Sequence, residues 1–425
     1  MTCRTECRQS HSPSPVVSTS RQTENTPPPV VPARQRSLAL DGWRAVACLL
    51  VLFHHTGFFL GHRPIVVWGF TGVHLFFVLS GYLLYRPLCK AMLAGAPFDV
   101  RDFYIRRLLR IYPAYLLALA AFTVARYVTR NHPPSAYDLL THLVFAYDSY
   151  DVRRFFGIAA VFWTLAIEAQ FYVILPLISI LVYRAAGRHA RVAIAATPFL
   201  LFVVGLISRA IELHYTTGST ATDDAAIRFH RVFSFLDLFA CGMVVAALEL
   251  LTTARQSLRS STGSLLAVAG LAMFLAANAW CSLANKGEWM MANDFRLALL
   301  FPPLLCGGLA LVLHTVIRSE SPLSRWLAVR PLVFLGEISY GIYLFHVLVQ
   351  LLCVDLFSLS WVASYTWRTF LWGLISLFPT VLVAAVCYRL VEEPCLRVSL
   401  RYKHKKMLVG VGGNPAASPV SLPLP

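Results

Sequence analysis

The chain has 425 residues, 57% of them hydrophobic and 14% charged, with a mean hydropathy of +0.62. A soluble protein of this length has no interior large enough for so much apolar surface, which excludes a soluble globular enzyme and implies an all-α polytopic membrane protein. The formal net charge of +16 does not mark a nucleic-acid binder, because the Lys and Arg residues recur in short clusters between apolar runs, as membrane topology requires.

Residues 1–36 are rich in Ser, Thr, Pro and Arg and are expected to form a disordered tail. They hold no apolar stretch of the kind a cleaved signal peptide needs. Ten apolar runs follow, each long enough to cross a bilayer: 39–61, 65–86, 111–130, 158–183, 192–212, 230–251, 263–284, 296–317, 332–356 and 368–391. Placing the first residue inside puts nineteen Lys and Arg on the inner connections and eleven on the outer ones, so both termini are expected to be cytoplasmic. Residues 37–396 form one membrane domain, and 397–425 a basic, then flexible, tail. The ten cysteines show no CxxC pair, and those inside apolar runs read as small buried hydrophobes.

Several ionisable side chains fall where lipid penalises them, and such residues carry function by default. Run one holds Arg44 and His55. Eleven residues separate them, about 16 Å along a helix and close to three whole turns, so they share a face. The histidine titrates near working pH and suits general-base chemistry; the alternative is a histidine satisfied by a neighbouring helix. Before run three, RRLLRIYP presents Arg106, Arg107 and Arg110 within one helical turn. Their planar donor forks suit phosphate; the alternative is flanking charge that only sets topology. Pro113 suits the first turn of a helix beginning there. In run four, Glu168 in FWTLAIEAQFY needs an Arg, a His or its own proton. Run nine carries SYGIYLFH, with His346 and two tyrosines. In run two, FFVLSGY holds Gly81, where helices can approach closely. VEEP at 391–394 closes the last run, with Pro394 as a helix stop and Glu392 or Glu393 as partners for basic loops. No HExxH or other metal-spaced cluster is present, so no metal is expected.

Together these stretches resemble acyltransferase family 3, a polytopic family of membrane O-acyltransferases that includes O-antigen acetyltransferases and macrolide acyltransferases. The resemblance runs from Leu38 to Pro394. It rests on Arg44 and His55, ten residues between them; on Arg106, Arg107, Arg110, Ile111 and Pro113; on Phe76 to Tyr82; on Trp163, Thr164, Leu165, Glu168, Phe171 and Tyr172; on Ser339, Tyr340, Tyr343, Leu344 and His346; and on the final VEEP. The chain departs from the common pattern at His74, where many relatives have Asp, and at Ala169, where many have Glu. Some relatives carry a further C-terminal esterase-like domain, which is not expected here.

The resemblance implies transfer of an acyl group, usually acetyl, from acyl-CoA as co-substrate to a hydroxyl of a glycan, a lipid-linked sugar or a glycosylated small molecule. His55 is then the expected base, selected over His54. Arg106, Arg107 and Arg110 are expected to bind CoA, Arg44 to bind CoA or a carboxylate, and Glu168 and His346 to orient His55 or bind the acceptor. A proton-coupled transporter is the alternative that deep His, Glu and Arg residues also permit.

Overall fold

The computed structural model describes residues 33–59, 68–130, 133–147, 157–187, 189–216, 231–252, 258–283, 295–356 and 365–399. The expected tails lie outside these residues, except that helix already begins at Ala33 and, at the other end, continues to Ser399. Among the described residues every regular element is a helix. In chain order these are α1 (Ala33–Phe59), α2 (Thr71–Leu93), α3 (Val100–Arg130), the short α4 (Ala136–Leu143), α5 (Trp163–Ala185), α6 (Ala190–Thr216), α7 (Leu236–Leu251), α8 (Ser260–Leu283), α9 (Phe295–Arg318), the short α10 (Pro322–Leu327) and α11 (Arg330–Glu337), α12 (Ser339–Leu356) and α13 (Tyr365–Cys387). Nine described helices are long and apolar enough to cross a membrane, ten if α11 and α12 count as one span bent by 74°.

Three boundaries differ from those the apolar runs suggest. The third helix begins at Val100, not near Ile111. Its start is set by Asp99, whose Oδ1 accepts the Asp102 backbone N–H at 2.9 Å, an N-cap that the hydropathy pattern does not register. Pro113 therefore lies inside the helix rather than at its first turn. A proline there removes a backbone donor and disturbs the turn before it; the Tyr340 hydroxyl donates to the Ile111 carbonyl in that turn at 2.9 Å. Run nine is not one straight helix but breaks at Ile338, between α11 and α12. Finally, Pro394 does not stop the last helix: α13 passes through a π-helical turn at Tyr388–Glu392 and helix continues to Ser399. Glu393 pairs with Arg397 one turn on, at 2.6 Å, rather than with a basic loop, and Glu392 is buried.

The centre of the bundle is α2 with α7, each 72% buried over its most apolar stretch, whereas α3 and α8 are 28% buried and form the periphery. The two central helices touch through glycines. A Cβ on Gly81 would lie 2.0 Å from the Phe239 carbonyl oxygen, and one on Gly242 would lie 1.8 Å from that of Val78. Without a hydrophobic force between helices in lipid, such small residues are what permit close backbone packing. One edge of this contact is tied by Arg86, whose Nε and Nη2 donate to Glu249 at 2.8 and 3.0 Å, with the Tyr82 hydroxyl on the same carboxylate at 2.8 Å. On the flank, buried Arg209 of α6 donates to Asp237 of α7 and to the Ser234 carbonyl, both at 2.6 Å. Helix α1 lies against α2, α11 and α12, and its Asp41, Arg44, His54 and His55 are partly buried there.

Candidate active site

Two polar compartments lie end to end among α1, α2, α3, α5 and α12. The first is a partly open cavity. At the end of the bundle where α1 begins it is lined by Arg44, Arg107, Arg110, Tyr172, Ser339 and Tyr340. At its deep end it is lined by Val73, Phe76, Phe77, Thr164, Leu165 and Tyr343. One end is cationic and the other apolar.

The arginines do not act as one group. Arg106 turns away to Asp102, one helical turn back, at 2.5 Å, and does not line the cavity. The expected three-arginine cluster is thus two arginines of α3 facing the cavity, joined there by Arg44 of α1. Four-residue spacing put Arg106 within reach of the acid at the start of its own helix, and that pairing won. Arg107 sits between two aromatic rings, its guanidinium carbon 5.7 Å from the centroids of both Phe103 and Tyr172, a cation–π arrangement. Its Nε is buried without a hydrogen-bond partner, so donor capacity remains. Arg44 is hydrogen-bonded to Asp41. Glu168 also faces the cavity, where its Oε1 accepts from the Ser80 hydroxyl at 2.6 Å. Besides this serine of α2, Glu168 has a hydrogen bond with Tyr172 and an electrostatic interaction with Arg107.

The second compartment holds the histidines. His55 of α1 and His346 of α12, 291 residues apart in sequence, meet with His346 Nε2 3.3 Å from His55 Nδ1. Their tautomers follow from the backbone. His346 Nδ1 lies 2.8 Å from the Tyr343 carbonyl and 3.2 Å from that of Ile342; a carbonyl only accepts, so this nitrogen carries the proton and Nε2 carries the lone pair. His55 Nδ1 lies 2.9 Å from the Val51 carbonyl, so it too is protonated, and its N–H is shared between that carbonyl and His346 Nε2. In the neutral ring this leaves the lone pair on His55 Nε2. His54 is not directed far from the pair: its ring meets that of His55 edge-on at 5.5 Å and that of Phe70 at 6.1 Å. His74 is buried beside Phe70 and Phe301.

A residue that the sequence reading did not single out holds the pair in register. Gln350, one turn beyond His346, donates from Nε2 to the Leu52 carbonyl at 2.9 Å and to the Thr56 hydroxyl at 3.0 Å. It clasps α12 to α1 on either side of His55. The four-residue spacing of His346 and Gln350 within an otherwise apolar run was the available signal. Tyr343 joins the two compartments. Its hydroxyl donates to the Val161 carbonyl at 3.0 Å and lies 2.6 Å from the Thr164 hydroxyl, while its ring is 5.9 Å from that of His346.

Residues 37–389 match a protein-family model described as an acyltransferase domain. The chain belongs to this acyltransferase family. The acyltransferase is 25% identical over 369 residues to the O-acetyltransferase OatA of Staphylococcus aureus, covering 84% of this chain and 56% of that protein. It is 24% identical over 370 residues to the peptidoglycan O-acetyltransferase OatA of Listeria monocytogenes, covering 84% and 55%. It is 26% identical over 384 residues to the putative peptidoglycan O-acetyltransferase YrhL of Bacillus subtilis, covering 87% and 56%. The acyltransferase thus spans little more than half the length of these relatives. No solved structure matches it.

Proposed function

We propose that the chain is a membrane O-acyltransferase that moves a short acyl group from acyl-CoA to a hydroxyl of a glycan. The observation that carries this reading is the apposition of His55 and His346 beyond the deep end of a cavity whose mouth holds Arg44, Arg107 and Arg110. CoA is a polyanion joined by a flexible arm to its thioester. Its phosphates suit the arginines, and its arm suits an increasingly apolar channel.

In the proposed reaction His55 Nε2 takes the proton of the acceptor hydroxyl. The oxygen attacks the thioester carbonyl, the tetrahedral intermediate collapses with loss of the C–S bond, and the imidazolium returns its proton to the thiolate. An ester and free CoA result. His346, its own Nδ1 proton committed to backbone, accepts from His55 Nδ1–H and so favours the imidazolium as it forms. The relatives' names point to a cell-wall glycan as acceptor. With the donor on one side of the histidines, the acceptor reaches them from the other.

The test uses membranes containing the full chain, labelled acetyl-CoA and the source organism's own acceptors. His55→Ala is expected to lose transfer by about 10²- to 10⁴-fold while the protein still accumulates in the membrane. Transfer at the unsubstituted rate would overturn the assignment of the base. Substrate flux without release of CoA would replace the enzyme by a transporter.

A further inference from the structure

The deep end of the cavity is closed by a pair of rings. Phe76 of α2 and Tyr343 of α12 meet edge-on with centroids 5.9 Å apart, and both line the cavity. Behind them stand the histidines. The ring of His346 is 5.9 Å from that of Tyr343, and the ring of His55 is 5.0 Å from that of His346. Along α12 the cavity lining runs through Ser339 and Tyr340 and ends at Tyr343; His346 is one turn further on. Phe76 packs both against the main core and against the separate small core of Cys48, Leu52, Ile338, Ile342 and Ala384 that borders α1 and α12. It therefore stands at the boundary between the two compartments. Tyr343 is not free to swing aside, because its hydroxyl is held by the Val161 carbonyl and the Thr164 hydroxyl.

We infer that Phe76 and Tyr343 set the length of acyl group that can be used. This rests on the proposed use of the cavity by acyl-CoA. The thioester end of the donor must come to the ring pair for its carbonyl to meet an oxygen activated at His55. One held ring and one ring wedged between two cores resist the displacement that a longer acyl chain would require. An apolar pocket separates ligands that differ by a methylene by about 10- to 200-fold, so a few added carbons suffice for strong discrimination. Of the two rings, Phe76 is the one to cut back, because it has no polar atom and shortening it orphans no partner. Tyr343 cannot be removed without leaving the Thr164 hydroxyl and the Val161 carbonyl short of a partner.

The experiment compares acetyl-, butyryl- and hexanoyl-CoA as donors for the full chain in membranes of the source organism, reading release of CoA and label transferred to acceptor. The unsubstituted protein is expected to favour acetyl over butyryl by about tenfold or more. Phe76→Ala is expected to raise the butyryl-to-acetyl ratio by at least about tenfold, with the milder Phe76→Leu giving a smaller rise in the same direction. Thr164→Ala, which frees the Tyr343 hydroxyl on one side, is expected to relax the ratio without touching either ring. The readout is a ratio within one protein sample, so a general loss of folded enzyme cancels. An unsubstituted protein that uses all three donors equally, or active Phe76 variants with an unchanged ratio, would overturn the inference and leave the proposed function standing. If acetyl-CoA itself is not consumed, both fall.

Discussion

Single residues divide according to what their neighbours leave them free to do. Arg106 and Arg110 carry the same charge on one turn of α3, yet Arg106 is paired with Asp102 and Arg110 faces the cavity. Arg110→Ala is expected to raise the KM for acyl-CoA by about tenfold, since a hydrogen bond to a charged group contributes about 1.5–3 kcal/mol. Arg106→Ala is expected to change it less than about twofold, because a partly exposed ion pair of this kind contributes only about 0.3–0.5 kcal/mol. Initial-rate kinetics against donor concentration distinguish the two; equal effects would mean that only net charge matters. His55 and Arg44 could be paired in thought from their spacing alone, because both lie on one helix. The meeting of His55 with His346 could not, since 291 intervening residues decide it. Nor does a sequence show that Glu168 accepts a hydrogen bond from Ser80, or that a glutamine beyond His346 fastens α12 to α1.

At the scale of elements, hydropathy located the spans and misplaced their ends. It could not see the Asp99 cap that starts α3 eleven residues early, nor the break at Ile338, because a helix bent inside protein is as apolar as a straight one. The short α4 adds a second kind of information. A capping box, Ser135 with Asp138, starts it, and near its end His142 is fully buried, stacked on Tyr147 at 3.9 Å. His142 Nδ1 donates to the Asp138 carbonyl at 2.7 Å, and Nε2 is buried without a partner. Burial lowers the pKa of this ring from its ordinary value of 6.5, outweighing the opposing pull of Asp138. The opened segment therefore binds more protons than the closed one once pH falls below 6.5. The closed form is fully favoured above that pH and weakens as pH drops, by at most about 1.4 kcal/mol per unit. Amide hydrogen exchange over 136–147, corrected for its intrinsic pH dependence, should be faster at pH 5.5 than at 7.5. His142→Phe, which keeps a ring against Tyr147 but takes no proton, should remove the difference; a persisting difference would assign it to another group.

For the whole molecule, composition and the spacing of apolar runs were enough to read a polytopic helical bundle, because every apolar helix in lipid must satisfy its own backbone. The count of ten spans holds when α11 and α12 are taken as one. Which helices are central was less legible. Apolarity does not mark them, since α2 is less apolar than α8, and neither does a reciprocal glycine contact, since Gly270 and Gly308 join α8 to α9 much as Gly81 and Gly242 join α2 to α7. From the distribution of Lys and Arg we propose that both termini are cytoplasmic. Epitope tags at the two ends should accordingly both be protected from protease in intact cells and both be cut in inside-out vesicles. Opposite behaviour of the two tags would require an odd number of crossings.

The two rings around Arg107 have a consequence for the thermodynamics of binding. A free arginine side chain carries about 2 kcal/mol of rotamer entropy, and an anion that had to immobilise one would lose that much of its affinity. Phe103 and Tyr172 hold Arg107 in place before any ligand arrives, so its rotamer freedom is lost during folding instead. A lysine at the same position would keep the charge, lose the stack and regain that freedom. On the proposed reading, the rings beside the guanidinium favour recognition of an anion by holding Arg107 ready for it.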